Sequence, residues 1–282
     1  MLEIDPLRDG PPPRAAATVV LLRDADAGLE VFLVRRTKGA AFMGGAYVFP
    51  GGKLDAADAD PSLLARVRGI DAEGAQRALA EDLAPASALA LYVAALRETF
   101  EESGVLFASS PRALDLAEAR ARLAGGASFA ELAHELELSL DAAALVPFAR
   151  WVTPAVEARR FDARFFVAVA PAGIVPRHDD AETITSVWKT PRGAIDAHAS
   201  GAIDLPPPTL RTLEELSVHT RAEDAVAAAR ARRPPLVRPV FRDLGDGTWV
   251  LALPGDAEHP EPSAVLPGPT RFTLRDGRFV SG

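Results

Sequence analysis

The chain has no cysteine in its 282 residues. That excludes disulfides, thiolate zinc sites and cysteine nucleophiles. It has no apolar run long enough to span a bilayer. It also lacks a basic surplus: 31 Lys and Arg face 39 Asp and Glu, for a net charge of −8. General binding to nucleic acid or to an anionic membrane is therefore not expected, because nothing replaces the counterions, although a local basic pocket for phosphate stays open. The five histidines, His134, His178, His198, His219 and His259, show no ligand spacing. Thr37-Lys38-Gly39-Ala40 is glycine-bearing but is no phosphate loop. Residues 1–8 carry no basic segment followed by an apolar run, so the expectation is a cytoplasmic protein without a signal peptide.

What is present is ordinary for a globular protein: 48% hydrophobic and 25% charged residues. Ala16 to Leu22 and Leu29 to Val34 read as a hairpin across Asp24–Gly28, and Ala46 to Phe49 as a short strand stopped by Pro50-Gly51-Gly52. Residues 56–86 read as one or two short helices. The clearest helix runs from Ser87, a candidate N-cap, to Ser103, with Gly104 as its stop. Leu114 to Leu123 and Phe129 to Leu136 read as further helices. Ala149 to Val152, Arg164 to Val169 and Ile184 to Trp188 read as strands. Pro191 to His198, Leu210 to His219 (after a Pro206-Pro-Pro208 stop) and Ala222 to Arg230 read as helices, and the tail alternates β-like pieces with turns. The domain expectation is a main body over 14–236, interrupted by an insertion at about 59–86, with a β extension over 237–282 packed on it.

The chemistry concentrates in Arg97-Glu98-Thr99-Phe100-Glu101-Glu102-Ser103-Gly104-Val105. On a helix, Glu98 faces Glu101 and Glu102 at i+3 and i+4. Three carboxylates then share a patch near a helix C-terminus, where like charges repel and anions oppose the helix dipole. Arg97 can relieve part of this by pairing with Glu101. A hard divalent cation would turn the rest into a binding site, since oxygen donors suit Mg²⁺ or Mn²⁺. Upstream, Phe49-Pro-Gly-Gly52 can bend sharply and bring backbone close to a phosphate or a metal through Gly51 and Gly52. The bland alternative is a solvated helix face; the turn before it, the adjacent arginine and the glycine after it favour a metal site.

These residues resemble the Nudix box, a glycine, a nearby acid, a spacer, and Arg-Glu-x-x-Glu-Glu-x-Gly-hydrophobic. Gly52 and Asp58 stand in the first half, and Arg97, Glu98, Glu101, Glu102, Gly104 and Val105 in the second, with Thr99 where a large aliphatic is usual. The spacer of 38 residues between Asp58 and Arg97 is far longer than the family's. It puts the role of Asp58 in doubt and predicts an insertion on the substrate side that leaves and returns beside the box. Such a split box resembles the Nudix branch acting on coenzyme A and acyl-CoA. Phe148-Ala-Arg-Trp-Val-Thr-Pro154, Arg160-Phe-Asp-Ala-Arg-Phe-Phe166, Trp188-Lys-Thr-Pro191 and Leu205-Pro-Pro-Pro-Thr-Leu210 fit that branch, as do Arg36 and Gly45 before the box. An arginine expected in that motif falls at Ala41.

The resemblance implies a Nudix α/β/α sandwich with a mixed sheet. It implies Mg²⁺ or Mn²⁺ on Glu98, Glu101 and Glu102, with Glu182, from Asp179-Asp180-Ala-Glu182, as an added ligand. Arg97 would position the glutamates, and Glu98 would be base or ligand. Arg36, Arg160 and Arg164, with Gly51 and Gly52, are the candidate substrate contacts, because guanidinium forks match phosphate oxygens. Arg160 and Arg164 would share a strand face. Arg159 could grip phosphate as well, and Trp151 or Trp188 could stack an adenine, though such residues are more often core. The expected partner is a small nucleotide substrate, with a homodimer left open. Three functions compete: a coenzyme A or acyl-CoA diphosphatase yielding 3′,5′-ADP and (acyl-)phosphopantetheine, a hydrolase of ADP-ribose or NADH, and a silent Nudix-fold binding module.

Overall fold

A computed structural model describes residues 10–37, 44–173, 176, 178–179 and 183–282. The hairpin forms as β1 (Arg14–Ala25) and β2 (Gly28–Arg36), followed by β3 (Tyr47–Val48) and β4 (Gly51–Lys53). The insertion contains α1 (Pro61–Leu64), β5 (Val67–Arg68) and α2 (Ala72–Leu79), and leads into the long α3 (Pro85–Ser103). Then come β6 (Ala108–Ser109), α4 (Leu116–Ala124), α5 (Phe129–Glu135), β7 (Ser139–Asp141), β8 (Val146–Val152), β9 (Phe161–Val169) and β10 (Thr183–Lys189). Three helices follow, α6 (Pro191–Ala199), α7 (Pro207–Leu216) and α8 (Ala222–Arg230). After β11 (Leu236–Val237), the chain closes with β12 (Val240–Asp243), β13 (Trp249–Ala252), β14 (Arg271–Arg275) and β15 (Arg278–Ser281).

The central sheet is mixed, in the order β10-β2-β1-β9-β8-β11, with β3 paired to β2 and β4 to β1. β1 and β9 run parallel over Arg14 to Leu22, and β4 binds the other edge of β1 at Ala16 to Thr18. Alternate residues of each strand face opposite sides, and two cores result. Ala17, Val19, Leu21 and Phe166 pack with α3, α5 and the insertion. Val20, Leu22, Phe165 and Val167 pack with α6, α7, α8 and the antiparallel sheet β12-β13-β14-β15. This is the α/β/α sandwich of the resemblance. No helix among the described residues is long and apolar enough to cross a membrane.

Two helices start earlier than expected, for the same reason. α3 begins at Pro85, with Ala84 rather than Ser87 at the N-cap and no side-chain cap. α7 begins inside the proline run, with Pro207 in its first turn, and ends at Leu216. Proline has no N–H to satisfy in a first turn, and its φ is already helical, so Pro85 and Pro207 start helices, although the sequence reading makes the Pro206–Pro208 run a stop.

The C-terminal sheet is stitched to the main body. Leu205 N–H donates to His198 Nδ1 at 3.1 Å, so the neutral ring carries its proton on Nε2, 2.9 Å from the Phe279 carbonyl that accepts it. Arg278 donates to the His198 carbonyl at 2.9 Å, and the buried Arg211 donates to the Pro269 carbonyl.

Candidate active site

The site is built where the C-terminal half of α3 crosses β4. Gly104 ends the helix in the left-handed region, φ 74°, a conformation cheap only for glycine. Thr99, where the family usually has an aliphatic, is fully buried, and its hydroxyl donates to the Ala95 carbonyl at 2.6 Å, so it packs without an orphan donor. The helix comes close to β4 because β4 has no side chains there. A Cβ on Gly51 would run into Ala17 and Thr18, and one on Gly52 would start inside the space taken by the Glu98 carboxylate. The Gly51 N–H donates to Glu102 Oε2 at 2.9 Å. Gly51 and Gly52, expected as a turn that stops the preceding strand, form the strand β4 instead, and this strand and the glutamate helix, far apart in sequence, are one unit.

Arg97 organises the acids. It forks onto the buried Asp58, with Nε to Oδ1 at 2.7 Å and Nη2 to Oδ2 at 2.9 Å. Its Nη1 donates to Glu98 Oε1 at 2.8 Å and to Glu101 Oε2 at 3.0 Å, and its Nη2 to the Lys53 carbonyl at 3.0 Å. Asp58 is itself fixed by the Asp55 N–H at 2.8 Å. The role of Asp58, in doubt from the spacer, is thus to hold the positioning arginine across the insertion. Burial alone would lower the Arg97 pKa; the hydrogen bonds to Asp58 and the charges of Glu98, Asp58 and Glu101 outweigh it and hold it above its ordinary value.

The glutamates carry the opposite strain. Burial pushes Glu98 up to about 7 against the pull of Arg97, with Glu101 adding repulsion. Burial pushes Glu102 up to about 8, opposed by the Gly51 N–H and Arg36 and reinforced by Glu98 and Asp179. Burial raises Glu101 too, again opposed by Arg97. Among the described residues no three carboxylate or imidazole groups already converge as a metal cage: Glu98 and Glu101 turn to Arg97, and Glu102 turns to Gly51. The donor set nevertheless fits a hard divalent cation, because these are oxygen donors whose charged forms Arg97 and the Gly51 N–H compensate only in part.

Glu98 opens into a cavity of about 720 Å³. Arg36, Gly51, Gly52 and Lys53 line it beside Glu98, and Arg14, Arg159 and Arg160 line it elsewhere. Arg160 already donates to the Thr153 and Pro11 carbonyls, at 3.0 and 2.9 Å. Arg164 is not brought there. It is 4% exposed, lies on the opposite face of β9 from the cavity-lining Ala163 and Phe165, and is paired with Glu81 and Asp162. The shared face expected for Arg160 and Arg164 fails because Arg160 precedes the strand. Trp151 lines the cavity, whereas Trp188 packs on Phe32 beneath the Arg23 guanidinium. Glu182, like Ala41, falls outside the described residues. Asp179 of the same acidic run lies close enough for its charge to act on Glu102.

Three features escaped the reading of the sequence. Lys53 and Arg14 stand in the cavity because β4 pairs with the start of β1, a long-range pairing with no local signal. Glu157 also lines the cavity; it is 8% exposed, no described group pairs with its carboxyl, and burial raises it to about 7. The insertion, expected on the substrate side, contributes nothing to the cavity lining. It packs on the far face of the sheet, where its Glu81 meets Arg150 at 2.7 Å and Arg164.

Comparison with known proteins agrees with this architecture. The family described as the NUDT19 Nudix domain matches residues 13–216. The chain is 30% identical to the human acyl-coenzyme A diphosphatase NUDT19, over 85% of this chain and 74% of that protein. It is 27% identical to the protein of that name from Xenopus laevis, over 82% of this chain and 72% of that protein. A crystal structure of a NUDIX hydrolase from Alicyclobacillus acidocaldarius superposes with a TM-score of 0.63 at 31% identity, covering 79% of this chain and 97% of that one.

Proposed function

The chain belongs to the NUDT19 Nudix domain family and is a Nudix-type hydrolase, and from that premise we propose that it hydrolyses the diphosphate of coenzyme A or an acyl-CoA. Water would attack one phosphorus, one P–O bond of the diphosphate would break, and the products would be 3′,5′-ADP and 4′-phosphopantetheine or its acyl form. The observation that carries the reading is the pairing of Gly51 and Gly52 on β4 with Glu102 and Glu98, beside one large cavity that Glu98, both glycines and several cations line.

Glu98, Glu101 and Glu102 are the residues that would hold Mg²⁺ or Mn²⁺, and such an ion, when bound, supplies charge neutralisation at the diphosphate oxygens. The chain's own groups divide the remaining work. Arg97, fixed by Asp58, sets the rotamers of Glu98 and Glu101, a supporting role whose loss commonly lowers activity ten- to a hundredfold. Glu98, which lines the cavity, takes the proton of the attacking water. Lys53, Arg14 and Arg159, with Arg36, offer donors to the substrate's phosphates. Arg160 braces the loop that carries Arg159.

The relatives named acyl-coenzyme A diphosphatase support the choice of substrate, and so does a cavity that joins cations to an apolar wall. The test offers coenzyme A, dephospho-coenzyme A, ADP-ribose and NADH at equal concentration with Mg²⁺ or Mn²⁺. Coenzyme A should have the highest kcat/KM, and Arg36→Ala should narrow its lead over dephospho-coenzyme A. A much higher kcat/KM for ADP-ribose or NADH, with the ranking unchanged in Arg36→Ala, would overturn the substrate and leave the Nudix chemistry standing.

A further inference from the structure

The cavity extends well beyond the groups a diphosphate needs. Its floor crosses the central sheet from Lys53 and Gly52 on β4, through Ala16 and Thr18 on β1, to Ala163 and Phe165 on β9 and Trp151 on β8. The register makes this a lateral row, since Lys53 pairs with Ala16, Ala16 with Ala163, and Ala163 with Trp151. Three strand spacings amount to about 14 Å. Alanines at 16 and 163 keep the middle of the row low.

The other wall comes from the end of the chain. Phe241 on β12, Leu251 on β13 and Phe279 on β15 line the same cavity, with Pro239 and Pro206–Pro208. Phe241 and Leu251 are 7% exposed and Phe279 5%. This sheet lies outside residues 13–216, the part matched to the family domain. A diphosphate, a ribose or a 3′-phosphate has no use for such a surface, whereas an alkyl chain gains from every methylene it buries there. The apolar row is continuous with the Glu98 end, so one ligand can occupy both.

We infer that the C-terminal sheet forms an acyl subsite: Phe241, Leu251 and Phe279, facing Trp151 and Phe165, take the fatty-acyl end of a thioester substrate and set its chain-length preference. The inference rests on the diphosphatase reading of the Glu98 end. It gives the last forty-odd residues a function in specificity as well as in packing.

The test measures binding and turnover separately, on the full chain. Binding of coenzyme A and of dodecanoyl-CoA, below its micelle concentration, is followed by calorimetry in EDTA. Dodecanoyl-CoA should bind at least tenfold more tightly. Leu251→Trp, which fills the subsite, should cut that ratio below threefold. Phe279→Ala, which enlarges it, should move the preference towards hexadecanoyl-CoA. The kcat/KM ratios of acyl-CoA to coenzyme A with Mg²⁺ should move in parallel. Equal binding of the two ligands by the wild type, or ratios unchanged in both variants while thermal melts show them folded, overturns the subsite. Equal weakening of both ligands would mean that the wall stacks the adenine, and also overturns it. If dodecanoyl-CoA binds with the expected dependence yet neither compound is hydrolysed, the diphosphatase reading fails and the subsite stands.

Discussion

At the scale of single residues, the site is a buried charge balance centred on one arginine. Arg97 touches Asp58, Glu98 and Glu101 at once, and lysine cannot reproduce that planar fork. Arg97→Lys should lower kcat/KM at least tenfold while leaving the protein folded. A variant that keeps wild-type turnover would remove the positioning role. Glu102→Gln keeps shape and loses charge, and a drop of about a hundredfold is expected, the scale of removing a key electrostatic group. Near-normal turnover in Glu102→Gln, or full activity of the wild type in excess chelator, would contradict the metal assignment.

Glu157 gives a separate signature. Burial raises its folded pKa from 4.5 to about 7, so folding favours the neutral acid. Its stability penalty is absent below the unfolded pKa, grows as pH rises from 4.5 towards 7, and is constant above. Glu157→Gln should therefore stabilise the protein at pH 8 by roughly 2–3 kcal/mol relative to wild type, and by little near pH 4.5. Urea unfolding at the two pH values checks this; a difference that does not change with pH would show that Glu157 is solvated in the folded protein.

At the scale of elements, the longer strands, the helices and the carboxylate helix were legible because each carries its own period and stop signals, whereas the two- and three-residue strands β4 to β7 and β11 carry none. α3 could be read from Leu89, Val93, Leu96 and the terminal Gly104, and its acids from their i+3 and i+4 spacing. Not legible were facts set by tertiary pairing. Arg164 sits in a run that reads like a cationic strand, yet the pleat turns it from the cavity to Glu81. The insertion's side of the sheet was likewise hidden, since a spacer length does not say where a segment packs. Its anchor makes a prediction. Glu81 lies buried between Arg150 and Arg164, and removing one partner of such a network typically costs about 3–5 kcal/mol. Glu81→Ala should lower the unfolding free energy on that scale yet leave kcat/KM within about threefold, since none of these residues lines the cavity. A large loss of activity in a stable Glu81→Ala protein would return the insertion to the substrate side.

At the scale of the whole molecule, a chain of net charge −8 gathers five of its cations at one cavity: Arg14, Arg36, Lys53, Arg159 and Arg160 all line it. A highly anionic small molecule can be recognised by that local field without any general affinity for nucleic acid. The sandwich brings the two halves of the split box together over β4 and leaves the opposite face of the sheet for helices α6 to α8 and the C-terminal sheet. The most direct test of the account incubates the protein with coenzyme A and Mg²⁺ in ¹⁸O-labelled water and identifies the products by mass. The account predicts 3′,5′-ADP and 4′-phosphopantetheine, one of them carrying a single ¹⁸O, formed about a hundredfold more slowly by Glu102→Gln. Unchanged coenzyme A alongside rapid cleavage of ADP-ribose or NADH, or product formation undiminished in Glu102→Gln, would contradict it.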